Sequence, residues 1–109
     1  MSELKILCWN VNGIRAVIRK GFLDFLKKQK PDILCIQEIK ISDTARHEQQ
    51  FDFPGYQEFW NSAQRPGYSG TAILVKDGIK VNYLDSLSWD DEGRVQILDV
   101  GKYYLVNIY

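Results

Sequence analysis

Two short apolar runs separated by one helical pattern constrain this chain more than any other feature. Residues 4–9 form the first run and residues 33–36 the second. Each is too short for a helix, so each reads as a strand, the first buried on most of both faces. Between them, Ile18, Phe22, Phe25, Leu26 and Gln29 follow i, i+4, i+7, i+8, i+11 spacing, and all but the last are apolar. Arg19, Lys20, Lys27 and Lys28 fall mostly on the other side. The spacing predicts one helix over residues 15–29, weakened at Gly21 by about 1 kcal/mol relative to alanine, and so late in starting or bent. Lys30-Pro31-Asp32 ends it. Strand, helix and strand in so short a stretch make a βαβ unit, with parallel pairing and a right-handed crossover.

The rest of the chain changes character. Residues 42–50 are polar and read as a short exposed helix or an ordered loop, with Ser42 or Asp43 as N-cap. Strands are expected over residues 56–60, 70–76, 79–84, 94–100 and 103–109. Asp77-Gly78 and Gly101-Lys102 are the expected hairpin turns. The fold class is therefore α/β: a βαβ unit followed by a mostly antiparallel sheet. The helix covers one face of such a sheet, which leaves the other face to be covered by something else.

Composition excludes several classes. At 45% apolar and 26% charged residues, the 109-residue chain is neither a disordered tail nor a fibre. Its apolar runs fall far short of the roughly 20 residues of a membrane span. Fourteen basic and fourteen acidic side chains cancel, so no global field draws the chain to nucleic acid. The charge is nevertheless uneven. Residues 1–40 hold eight basic and four acidic side chains, which favours a local basic surface. Cys8 and Cys35 each sit inside an apolar run and read as buried, reduced thiols. The first residues lack a targeting pattern, so the expected location is intracellular.

The candidate chemistry gathers at the strand ends. Asn10 ends the first strand and Glu38 follows the second, and crevices at the carboxyl ends of parallel strands are the usual ligand sites. A carboxamide oxygen and a carboxylate are hard ligands suited to Mg²⁺ or Mn²⁺. A plain alternative stands beside this: Asn10 as a turn residue and Glu38 as a strand terminator. Arg15, Arg19 and Lys20 are either a solvated helix face or phosphate contacts. Gly67-Tyr68-Ser69-Gly70 is either a plain loop or a close approach to phosphate. His47 reads as a surface residue, and Tyr109 as one tyrosine among six.

Four segments carry a resemblance. They are Trp9-Asn10-Val11-Asn12-Gly13-Ile14-Arg15-Ala16, Gln37-Glu38-Ile39-Lys40, Gly67-Tyr68-Ser69-Gly70 and Glu92-Gly93-Arg94. In order and spacing they resemble the exodeoxyribonuclease III family of apurinic/apyrimidinic (AP) endonucleases, within the endonuclease/exonuclease/phosphatase superfamily. The resemblance implies the N-terminal half of a four-layer αββα sandwich, with residues 1–109 lacking the C-terminal half. It implies Asn10 and Glu38 as metal ligands, with Mg²⁺ as cofactor and Mn²⁺ as an alternative. Asn12, Arg15, Ala16, Lys20 and Tyr68 match DNA-contact positions, and Tyr109 matches a catalytic-site tyrosine. The family's Asp-x-Asn pair and its later Asp-His pair have no counterpart here. The implied activity is Mg-dependent phosphodiester hydrolysis at abasic sites and 3′ ends in double-stranded DNA. The implied location is cytoplasmic in a bacterium or nuclear in a eukaryote, and the 109 residues alone are expected to be inactive. Two alternatives accompany this reading. One is a non-catalytic half-domain that binds nucleic acid or metal and covers its open sheet as a homodimer. The other is a phosphatase of the same superfamily.

Overall fold

The βαβ expectation is met. In a computed structural model describing residues 3–84 and 87–109, β1 (Ile6–Asn10) pairs in parallel with β2 (Ile33–Gln37), and Asn10 lies opposite Gln37. The single expected helix is instead two, α1 (Ile14–Arg19) and α2 (Phe22–Gln29). The break falls at Gly21, whose φ of 103° is a conformation that glycine adopts without steric cost. Turning there lets α2 bury Phe22 and Leu26 on the sheet. Ser42 caps α3 (Asp43–Gln49) by accepting from the Ala45 N–H.

The strands do not form one sheet. β3 (Tyr56–Asn61) and β4 (Thr71–Lys76) join the βαβ unit in a four-stranded sheet of order β1-β2-β4-β3. β5 (Asn82–Leu84), β6 (Val95–Asp99) and β7 (Tyr104–Ile108) form a separate antiparallel sheet. The Asp77-Gly78 turn is therefore a crossing between sheets and not a hairpin, because β4 and β5 never pair. Gly101 does sit in a hairpin, between β6 and β7. Of residues 79–84 only the last three are strand. Ile79 and Val81 pack into the core without joining a ladder.

Two cores result. Leu34, Ile36, Ala72 and Leu74 face Ile14, Phe22 and Leu26 of the helices. Ile33, Cys35, Ile73 and Val75 on the other face meet Leu98 of the second sheet. The face expected to lie open is thus covered by the chain's own second sheet. What stays open is the outer face of β7, where Tyr104, Val106 and Ile108 are 65%, 46% and 64% exposed.

β1 departs from expectation as well. It is an edge strand with only β2 beside it, and its residues alternate between exposed and half-buried. Cys8 is consequently exposed, contrary to the expected buried thiol. Cys35, on the central strand β2, is buried, and burial pushes its thiol up to about 12.

Buried polar groups fasten the layers. The Asp32 carboxylate accepts the Lys5 backbone N–H at 2.7 Å and pairs with Lys76 at 3.4 Å. Chiefly through that backbone hydrogen bond, its pKa lies below the ordinary carboxylate value. Between the sheets, Asn107 Nδ2 donates to the Ile36 and Ala72 carbonyls and to Gln96 Oε1.

Candidate active site

The carboxyl ends of β1 and β2 run into loops that are laced together. The N–H groups of Val11, Gly13 and Ile14 donate to the carbonyls of Gln37, Glu38 and Ile39. Asn12, Glu38 and Lys40 adopt positive φ values of 50°, 60° and 53°. A non-glycine residue in this region costs roughly 1 kcal/mol or more, and such residues cluster at functional sites. The neighbouring loop is tied in by the N–H groups of Ile39 and Lys40, which donate to Gly70 O and Ser69 O. Gly70 has to be glycine. Its φ is +88°, and a Cβ there would stand 2.6 Å from Ile39 Cγ1.

A chain of polar contacts joins the two strand ends. Asn10 Oδ1 accepts the Asn12 N–H at 3.1 Å. Asn12 Oδ1 accepts from Lys40 Nζ, and that ammonium lies 3.4 Å from Glu38 Oε1. Asn10 and Asn12 are exposed and Glu38 is half-buried. Lys40 was not among the residues singled out from the sequence, yet it is the link between Glu38 and Asn12. The only sequence signal for it was its place at the end of the Gln37-Glu38-Ile39-Lys40 segment.

Beside this chain opens a basic cleft of about 580 Å³. Gly13, Arg15, Ala16, Arg19, Lys40 and Gly67 are among its lining residues. The Arg15 guanidinium donates to Lys40 O at 3.2 Å, which holds α1 against the Glu38 loop. Arg15 and Ala16 are thus brought to the cleft. Lys20 is exposed at the C-cap of α1 and is not part of the cleft wall.

The remaining two residues singled out from the sequence form a second group around Arg94. The Arg94 guanidinium donates to Glu92 Oε1 at 2.7 Å and to the Tyr68 hydroxyl at 3.2 Å. It also stacks 5.0 Å over the Tyr109 ring and donates to Tyr109 O at 3.3 Å. The Glu92 carboxylate, and after it Tyr68, raises the Arg94 pKa further above its ordinary value. Gly93 permits the turn that presents both side chains. A Cβ there would fall 2.3 Å from Asn61 O. Arg94 and Glu92 are further functional candidates, and the only sequence signal for them is the Glu92-Gly93-Arg94 segment.

The donor types at the two strand ends suit a hard divalent cation. After β2 stands the Glu38 carboxylate, and at the end of β1 the Asn10 carboxamide oxygen, with a lone pair left after the Asn12 N–H. Mg²⁺ takes one or two protein oxygens and completes its shell with water and substrate phosphate. Among the described residues no group of three or more His, Cys, Asp or Glu side chains is arranged to hold a metal.

Residues 7–109 match the Endonuclease/Exonuclease/phosphatase family, and the chain belongs to it. Within that family its similarities are specific. It is 41% identical over 109 residues to an exodeoxyribonuclease of Bacillus subtilis (strain 168), spanning 97% of this chain and 42% of that protein. It is 38% identical over 112 residues to the DNA repair nuclease APEX1 of Danio rerio, spanning 99% of this chain and 36% of that one. The crystal structure of the AP endonuclease LMAP from Leishmania major superposes with a TM-score of 0.82 at 30% identity, over 97% of this chain and 40% of that one. The chain thus spans about two-fifths of the length of such relatives, and its sheets and helices are part of the same α/β sandwich. Among the described residues no helix is long and apolar enough to cross a membrane.

Proposed function

We propose that these residues form the metal-holding and backbone-gripping part of a DNA-repair nuclease of the exodeoxyribonuclease III type. Its reaction is hydrolysis of DNA phosphodiesters at abasic sites and 3′ ends, with Mg²⁺, or Mn²⁺ in its place. The observation that carries this reading is the polar chain from Asn10 through Asn12 and Lys40 to Glu38, set beside a basic cleft. The similarity to an exodeoxyribonuclease and to DNA repair nucleases supports it.

Asn10 and Glu38 would hold the cation. When bound there, it supplies Lewis acidity to the phosphoryl oxygen and charge relief to the leaving 3′ oxygen. Lys40 keeps the Glu38 carboxylate aimed while the site is empty of substrate. Arg15 and Ala16, in the first turn of α1, take backbone phosphates, a sequence-independent and salt-sensitive grip. Lys20 extends that positive surface along the helix. Tyr68 and Tyr109, both held by Arg94, present phenol hydroxyls to the phosphate. These residues bind and orient. The groups that would take a proton from the attacking water lie elsewhere in the resemblance, so residues 1–109 alone should not cut DNA.

The test is a chimera in which these 109 residues replace the matching part of the Bacillus subtilis exodeoxyribonuclease. Glu38→Gln should lower its nicking of abasic duplex DNA about 100-fold or more, beyond the usual effect of residues that merely support a ligand. Activity within threefold of the parent chimera would end the reading.

The exposed outer face of β7 favours a second reading, self-association of the isolated chain. Sedimentation at micromolar concentration should show dimers or larger species. A monomer throughout would remove this reading and leave the first untouched.

A further inference from the structure

A second cavity, of about 380 Å³, lies at the other end of the four-stranded sheet from Glu38. Leu23 and Leu26 of α2 form one wall, and Pro54, Gly55 and Tyr56 form the other. The Tyr56 ring is fixed there because its hydroxyl donates to Pro31 O at 2.7 Å. Leu23 is 37% exposed toward solvent, a large apolar side chain left uncovered beside a concave surface. The volume lies near the small end of the range for ligand cavities, roughly 300–1,000 Å³, and it suits one or two side chains.

Lys27, Lys30 and Lys76 complete the lining. Lysines at the end of a helix ordinarily serve the terminal carbonyls, but here that task is taken by others. Lys5 Nζ donates to Gln29 O at 2.6 Å, and Lys76 Nζ donates to Lys30 O at 3.3 Å. The charge of Lys76 is matched by Asp32 at 3.4 Å. Lys27 and Lys30 are exposed, and neither ammonium has an acidic or carbonyl partner among the described residues. Lys28 adds a third positive charge, and residues 27–30 contain no acid.

We propose that this cavity docks an acidic peptide segment carrying one bulky aliphatic side chain. The aliphatic group enters between Leu23 and Tyr56, and flanking carboxylates meet Lys27 and Lys30. Charge complementarity selects an acidic partner. The apolar wall selects a side-chain anchor that a nucleic-acid backbone does not have.

The probe is a fluorescein-labelled peptide, Asp-Asp-Asp-Leu-Asp-Asp, titrated with the 109-residue chain and followed by polarisation. Binding should be saturable below about 1 mM, the weak end of specific association. Replacing the peptide's leucine by alanine should weaken it about fivefold or more, as expected for partial burial of a leucine. The double variant Lys27→Gln, Lys30→Asn should weaken it about tenfold. Asparagine suits the left-handed backbone at position 30, where φ is 47°, so the helix end is kept. Leu23→Glu, on an exposed position, should abolish binding without unfolding the chain. Arg15→Gln should leave binding unchanged, and duplex DNA should not displace the peptide. Absence of saturable binding, indifference to the leucine, or displacement by duplex DNA would each overturn the proposal. The last of these would assign the peptide to the basic cleft.

Discussion

The Gln37 side-chain amide donates to Asn107 Oδ1 at 2.7 Å, across the gap between the two sheets. Gln37 directly precedes Glu38, and Asn107 lies two residues before Tyr109. One buried amide pair therefore ties together the strands that lead to Glu38 and to Tyr109. Asn107 is 2% exposed and also serves Ile36 O, Ala72 O and Gln96 Oε1. Asn107→Ala would leave several of these groups without a partner, at about 1–3 kcal/mol for each group left buried and unsatisfied. For a domain of this size each kcal/mol moves the midpoint by roughly 4–8 °C, so a fall of about 10 °C or more is expected in a thermal melt followed by circular dichroism. A shift of only a degree or two would mean that water replaces the asparagine readily.

Acid should loosen the start of the sheet. Asp32 has its pKa lowered in the fold, first by the Lys5 N–H and further by Lys76. A lowered folded pKa means that the ionised form is favoured by folding. The stabilisation is fully present above the unfolded carboxylate value of about 3.9 and is lost as pH falls through the lower folded value. Denaturant midpoints should drop below about pH 4 in the parent chain. In Asp32→Asn they should start lower at neutral pH and decline less over the same acid range. Parallel curves for the two proteins would place the acid sensitivity elsewhere.

The basic cleft should be visible in salt dependence. Arg15 and Arg19 line it and Lys20 does not. In the chimera described above, Arg15→Gln with Arg19→Gln should reduce the slope of log K against log salt for duplex DNA by about 2, near one per lost phosphate contact. Lys20→Gln should change it by less than Arg15→Gln. An unchanged slope in the double variant would make these arginines a solvated helix face.

The parts of the fold that the sequence made legible are those where periodicity and burial agree. β2 and β4 are apolar through residues 33–36 and 72–75 because helices cover one face and the second sheet the other. Division into two sheets was not legible, because alternation reports a face and not a partner. In β6 and β7 it even misleads. Gln96 and Asn107 point inward, while Val106 and Ile108 lie outward. Strand burial in β1 was overestimated because an apolar edge strand reads like a central one. The placement of Asn10 and Glu38 at the ends of neighbouring parallel strands was legible from the two apolar runs. Lys40 and Arg94 were not, since in a sequence a lysine or arginine that orders its neighbours looks like one that is merely solvated.

In the proposed function Asn10 and Glu38 together hold a divalent cation. Mn²⁺ titrated into the ¹⁵N-labelled 109-residue chain tests it without requiring catalysis, because paramagnetic broadening reports proximity to the ion. Signals from Asn10, including its side-chain amide, and from Glu38 should broaden first, and Glu38→Gln should remove the effect. Broadening that instead centres on Asp90, Asp91 and Glu92, or that persists unchanged in Glu38→Gln, would rule out a cation held by Asn10 and Glu38.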